Sequence, residues 1–163
     1  MNELPSNAAG SGRVLIYTDG ACTGNPGPGG YAALIVRDGE TQEISGGFAR
    51  TTNNRMEILA AISGLETLER PSKVTVYSDS QYVVNAISKG WAKRWQANNW
   101  MRNPKEAAVN PDLWTRLLAL CAKHEVEFSW VRGHAGHPEN ERCDFLSTRA
   151  ARGQGLPVDS GYR

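Results

Sequence analysis

The sequence predicts an α/β fold, a five-stranded mixed sheet flanked by helices. Two observations carry this. Apolar runs of strand-like and helix-like period follow one another in the order three strands, helix, strand, helices, strand, helix. The dipeptide Asp38-Gly39 marks a tight hairpin between the second and third runs, whereas helical segments separate the later strands. At 163 residues the chain has the length of one ordinary domain and is large enough to bury a core without a disulfide or structural metal.

Residues 1–12 are small and polar and are expected to form a flexible leader. Val14-Leu15-Ile16-Tyr17-Thr18 is a short β-prone run ending at Asp19. Gly20 to Gly30, crowded with glycine and proline, reads as a tight irregular loop. Tyr31 to Arg37 is a second strand and Thr41 to Ala49 a third. The cluster Thr51-Thr52-Asn53-Asn54 caps a helix running to about Glu69. Lys73 to Ser78 is a fourth strand ending at Asp79, and Ser80 to about Lys89 reads as helical. From there to Asn110 the pattern is irregular. Pro111-Asp112 opens a helix through about His124, and Val126 to Val131 is the fifth strand. Arg132 to His137 is a loop, and Pro138 sits in the first turn of a last helix. The folded domain is expected over 13–152, with 153–163 as a tail.

Eighteen Lys+Arg against seventeen Asp+Glu give a net charge of +1, which excludes a polyelectrolyte tail protein. It leaves a nucleic-acid enzyme open, because charge can be segregated along a chain. No apolar stretch approaches the ~18 residues of a membrane span, and the first residues lack the basic start and apolar core of an export signal. Cys22, Cys121 and Cys143 are an odd number without close pair spacing, which points to free thiols in a reducing compartment. The expected location is the cytoplasm.

The chemistry lies in the acids. Strand side chains alternate, so Tyr17 and Asp19 share a face, as do Tyr77 and Asp79. Each Asp ends its strand, where α/β proteins place ligand sites. If the two strands are parallel neighbours, the carboxylates stand side by side and need a cation or a shared proton between them. Glu57 aligns with the small residues Ala60, Ala61 and Gly64, a stripe that lets a helix approach a sheet closely. Asp144 lies about two turns into the last helix, where Asp is a poor choice without a reason. In the loop before it, His134 could relay protons. Carboxylate clusters select Mg²⁺, or Mn²⁺, over zinc, and two such ions suit phosphodiester hydrolysis.

Four segments, taken in order, resemble type 1 ribonuclease H of the bacterial ribonuclease HI family. They are Thr18 to Tyr31 (TDGACTGNPGPGGY), Thr51 to Glu57 (TTNNRME), Ser78 to Val83 (SDSQYV) and Val131 to Asp144 (VRGHAGHPENERCD). Asp159-Ser160-Gly161-Tyr162 is similar to the tail of bacterial members. The resemblance implies a ribonuclease H-like fold and an endonuclease that hydrolyses the RNA strand of an RNA–DNA hybrid, leaving 5′-phosphate and 3′-hydroxyl ends. It implies that Asp19, Glu57, Asp79 and Asp144 hold the metal and that His134 assists proton transfer or product release. It also implies minor-groove contacts by Asn25, Asn53, Asn54 and Gln81, with Thr52 and Arg55 toward a DNA-strand phosphate. The 2′-hydroxyl is the group that separates the strands, and amide side chains suit it because they both donate and accept.

Between Asp79 and Glu106 there is no acid, while Lys89, Lys93, Arg94, Arg102 and Lys105 are basic and Trp91, Trp95 and Trp100 are aromatic. This pattern suits a phosphate-contacting surface, with Trp91, Lys93, Arg94 and Trp95 as its candidates. The same spacing of Trp91 and Trp95 also suits packing of a short helix. In the family the segment resembles a basic protrusion that grips the hybrid. Here Gln96, Asn98, Asn99 and Asn103 are neutral. A monomer with no obligate protein partner is expected.

Overall fold

The computed structural model describes residues 12–133 and 135–163, so the expected leader up to residue 11 and His134 lie outside the described residues. The elements are β1 (Arg13–Cys22), β2 (Gly27–Arg37), β3 (Glu40–Thr51), α1 (Asn53–Glu66), β4 (Lys73–Ser78), α2 (Gln81–Ser88), α3 (Trp91–Ala97), α4 (Pro111–Lys123), β5 (Glu125–Trp130) and α5 (Pro138–Ala151). The sheet order is β3-β2-β1-β4-β5. β2 pairs antiparallel with β1 and β3, while β4 pairs parallel with β1 and β5. The mixed five-stranded sheet with flanking helices is therefore the one expected.

Helix α1 packs on β1 and β2, and α4 packs on α1, enclosing a core that includes Ile16, Ile35, Met56, Ile62, Val76 and Trp114. The opposite face of β1, β2 and β3 is covered by α5, with Cys143 and Leu146 against Ala32 and Leu34. β2 is covered on both faces, so Ala32 to Ile35 are all buried and its apolar run is continuous rather than alternating.

Three boundaries differ from the sequence reading. The glycine-rich stretch is mostly strand: β1 continues to Cys22 and β2 starts at Gly27, leaving only residues 23–26 between them. Its glycines serve close approach, since a Cβ on Gly30 would collide with the Ser147 carbonyl of α5. α1 ends at Glu66, where the Thr67 N–H and hydroxyl bond back to the Gly64 carbonyl and tighten the last turn. The stretch after Lys89 holds a short helix, α3. It restarts behind Gly90 at φ 76° and is held by Trp95, whose ring packs against Tyr82 and edge-on to Trp114. Tertiary packing, not local periodicity, makes that helix.

Candidate active site

β1 and β4 are parallel neighbours in a register that sets Tyr17 opposite Tyr77, so Asp19 and Asp79, two residues on, stand together. Asp79 follows the end of β4, whereas Asp19, expected to end its strand, lies within β1 because β1 goes on pairing with β2 to Cys22. The tyrosine rings stack with centroids 4.8 Å apart and planes 13° from parallel. Between the strands the buried Thr18 hydroxyl donates to the Tyr77 carbonyl at 2.8 Å, locking the two acid-bearing ends. On the other side, α1 comes so near β1 at Gly20 that Glu57 reaches the same place. Oxygens of Asp19, Glu57 and Asp79 all lie within 4.8 Å of one another. The small stripe of Ala60, Ala61 and Gly64 is buried, as expected of a helix lying close to a sheet.

Asp144 of α5 is half-buried and near enough for its charge to act on Asp19, beside the trio rather than within it. The structure thus brings all four predicted acids together, three of them in direct proximity.

Burial, then the charges of Asp79 and Asp144, pushes the Asp19 carboxyl up to about 8. Burial, followed by Asp19 and Asp79, likewise holds Glu57 well above the usual carboxylate range. The Glu57 Oε1 is buried without a hydrogen-bond partner. Two buried carboxylates, a half-buried third and an unpaired oxygen are costly alone and natural ligands for a hard divalent cation. The residues present therefore fit Mg²⁺ or Mn²⁺, and among the described residues the cluster offers no thiolate or imidazole that would favour zinc.

Two neighbours of Asp79 escaped the sequence reading. The indole of Trp130, at the end of β5, donates to the Asp79 carbonyl at 3.1 Å. In the following loop, a Cβ on Gly133 would stand 2.8 Å from Asp79 Oδ2, so the backbone leading into residue 134 passes against this acid. An aromatic residue ending a strand just before a small-residue loop was the available signal for Trp130.

The candidate substrate contacts divide. Asn25, Thr52, Asn53 and Asn54 gather where α1 begins: Asn25 Oδ1 accepts from the Asn53 N–H at 3.0 Å, and Thr52 Oγ1 caps the helix by accepting from the Arg55 N–H at 3.2 Å. Asn54 is exposed, as is Gln81 in the first turn of α2. Lys93 and Arg94 are exposed on α3.

Arg55 is a correction. It is 2% exposed, and its guanidinium is engaged with Asp112, Asp159 and Asn110 inside the protein, so it is not presented to a phosphate. Trp95 and Trp91 are half-buried and pack against the core, and each keeps part of its surface exposed. They pack this way because large aromatic surface is worth more buried than solvated.

An α/β sheet that joins carboxylates from two parallel strands and a facing helix defines a class of divalent-cation-dependent hydrolases. A family model described as RNase H matches residues 11–152. The chain belongs to the ribonuclease H family, whose enzymes cut RNA internally within RNA–DNA hybrids, and it is of the bacterial type 1 kind. It is 61% identical to a ribonuclease H of Trichodesmium erythraeum, over 92% of this chain and 96% of that one. It is 64% identical to one of Desulforamulus reducens, over 90% and 92%. Among solved structures it is similar to LC9-RNase H1, a type 1 RNase H with the type 2 active-site motif. That match has a TM-score of 0.76 at 32% identity, covering 92% of this chain and 75% of that one.

Among the described residues, no helix is long and apolar enough to cross a membrane.

Proposed function

We propose that this enzyme hydrolyses the RNA strand of RNA–DNA hybrids by two-metal-ion catalysis, giving 5′-phosphate and 3′-hydroxyl ends. Mg²⁺ is its cofactor, with Mn²⁺ able to substitute, and it works as a cytoplasmic monomer. The observation that carries the reading is the close trio of buried Asp19 and Glu57 with half-buried Asp79, and its unpartnered Glu57 oxygen. Those three carboxylates and Asp144 would hold the cations. When bound, the cations supply charge to polarise the scissile phosphate, to make a water nucleophilic and to stabilise the departing oxygen.

The protein's own groups do the rest. The strand ends and α1 fix the carboxylates in a buried, low-dielectric setting, where charge interactions are strong. His134 takes or returns a proton near the leaving group. Asn25, Asn53, Asn54 and Gln81 offer amides that donate to and accept from the 2′-hydroxyl and backbone, and Thr52 offers a hydroxyl proton toward a phosphate. Lys93 and Arg94 meet phosphates farther along the duplex. A solved structure of similar fold, LC11-RNase H1, is in complex with an RNA/DNA hybrid, which supports the same substrate here.

The test is cleavage of matched RNA–DNA, RNA–RNA and DNA–DNA duplexes with Mg²⁺, with end-group analysis of the products. Cutting confined to the RNA of the hybrid is expected. Equal cutting of RNA–RNA duplex, or 3′-phosphate products, would overturn the reading.

A further inference from the structure

The tail beyond residue 152 lies outside the stretch matched by the family model, yet it ends against the start of α1. One carboxylate oxygen there does two jobs. Asp159 Oδ2 accepts from the Thr51 hydroxyl at 2.7 Å and from Arg55 Nε at 2.8 Å. Thr51 is the last residue of β3 and Arg55 lies in the first turn of α1, so the residues between these two anchors are Thr52, Asn53 and Asn54. We infer that Asp159 is a positioning residue: the carboxyl-terminal tail latches the turn that grips the hybrid. This rests on the reading of Thr52, Asn53 and Asn54 as hybrid contacts.

Charge compensation alone does not explain Asp159. Arg55 is already met by Asp112, whose two oxygens accept from its terminal nitrogens at 2.9 and 2.7 Å. Asn110 Oδ1 takes a further bond at 3.1 Å, and Asp159 Oδ1 takes one from Arg55 Nη2, also at 3.1 Å. With the bond from Nε, every N–H direction of the guanidinium is used. One cation facing two carboxylates is more negative charge than neutrality requires, and only Asp159 also reaches across to β3. A second tether lies nearby, where the Ala49 N–H donates to the Pro157 carbonyl at 2.9 Å. On the turn's outer side Asn25 holds the Asn53 N–H. The turn is thus fixed from both sides before any ligand arrives, and a pre-ordered contact surface costs less entropy on binding.

The prediction is a rise in KM for the hybrid without a matching fall in kcat. Steady-state kinetics are measured on four variants: Asp159→Ala, Thr51→Val, Asp112→Ala and the double variant Asn53→Ala/Asn54→Ala. Each is assayed below its measured melting temperature. Asp159→Ala and Thr51→Val are expected to raise KM by roughly 3- to 10-fold with kcat nearly unchanged. Asp112→Ala strips a carboxylate from the same guanidinium but not from the turn, so it lowers the melting temperature and leaves KM within about 2-fold. Wild-type KM in Thr51→Val and Asp159→Ala, or an equal rise in Asp112→Ala, would reduce the network to general stabilisation and overturn the latch. Thr51→Val is nearly isosteric and keeps the test open if Asp159→Ala does not fold. Wild-type KM in the double asparagine variant would instead overturn the assignment of the turn to hybrid binding.

Discussion

The Cα of Gly20 lies so close to α1 that a β-carbon there would stand 2.6 Å from the backbone nitrogen of Glu57. That contact sets how deeply Glu57 reaches toward Asp19 and Asp79. The obstacle is helix backbone, which cannot swing aside as a side chain can. Gly20→Ala is therefore expected to cost about 1–3 kcal/mol of stability, in the range of core overpacking, and to lower kcat by moving Glu57 off the cluster. Thermal melts and turnover on the hybrid check both; unchanged values would mean that α1 slides freely on the sheet.

Asp19→Asn and Asp79→Asn are expected to abolish Mg²⁺-dependent cleavage, by at least about 10³-fold if several kcal/mol of charge stabilisation is lost. The same variants should melt at or above the wild-type temperature without metal, because each relieves repulsion in the closely spaced trio. Wild-type turnover in either variant would sink the site.

Metal-free stability should depend on pH in a particular sense. Asp19 and Glu57 have raised affinities for protons in the folded state, Asp19 titrating at about 8. The folded protein therefore holds more protons than the unfolded chain between about pH 4 and about pH 8, and its stability falls as pH rises through that window. A divalent cation takes the place of those protons. The gain in melting temperature on adding Mg²⁺ should consequently grow from about pH 5 to about pH 8. A gain independent of pH would place the ion elsewhere.

His134→Ala is expected to slow turnover by roughly 10²–10⁴-fold without stopping it, the usual cost of losing a general acid or base. Single-turnover assays on the hybrid distinguish this from a loss as deep as that of the Asp19 variant, which would make residue 134 a ligand.

Neutralising Lys93 and Arg94 together is expected to raise KM and to flatten the salt dependence of hybrid binding by up to about two phosphate contacts. Both are exposed on α3, and none of the four acids lies on that helix, so kcat should change little. Hybrid affinity measured across a series of salt concentrations gives the slope directly. A steep fall in kcat at unchanged slope would assign the protrusion to the active site.

The strand-end acids were legible in the sequence because alternation and strand termination are local properties of the chain. Val14 to Asp19 and Val74 to Asp79 repeat one pattern, and that pattern placed both carboxylates just past where the two strands pair, though β1 itself runs on to Cys22. Short range also explains the Thr52 cap and the opening of α5 at Pro138. What the sequence left undecided depends on partners distant along the chain. Arg55 reads as a surface cation beside two asparagines, yet Asp159, more than a hundred residues on, and Asp112 draw it inside. Trp95 suits both packing and a phosphate-contacting surface in the sequence, and only the structure shows Tyr82 and Trp114 packed against it. The glycines after Asp19 suggest a loop until α1 and α5 are seen lying where side chains at Gly20 and Gly30 would be. A sequence states what each residue prefers, and periodicity turns that into elements. Burial and ion pairing are energies between elements, so only the packed structure fixes which cation faces the substrate and which is spent inside.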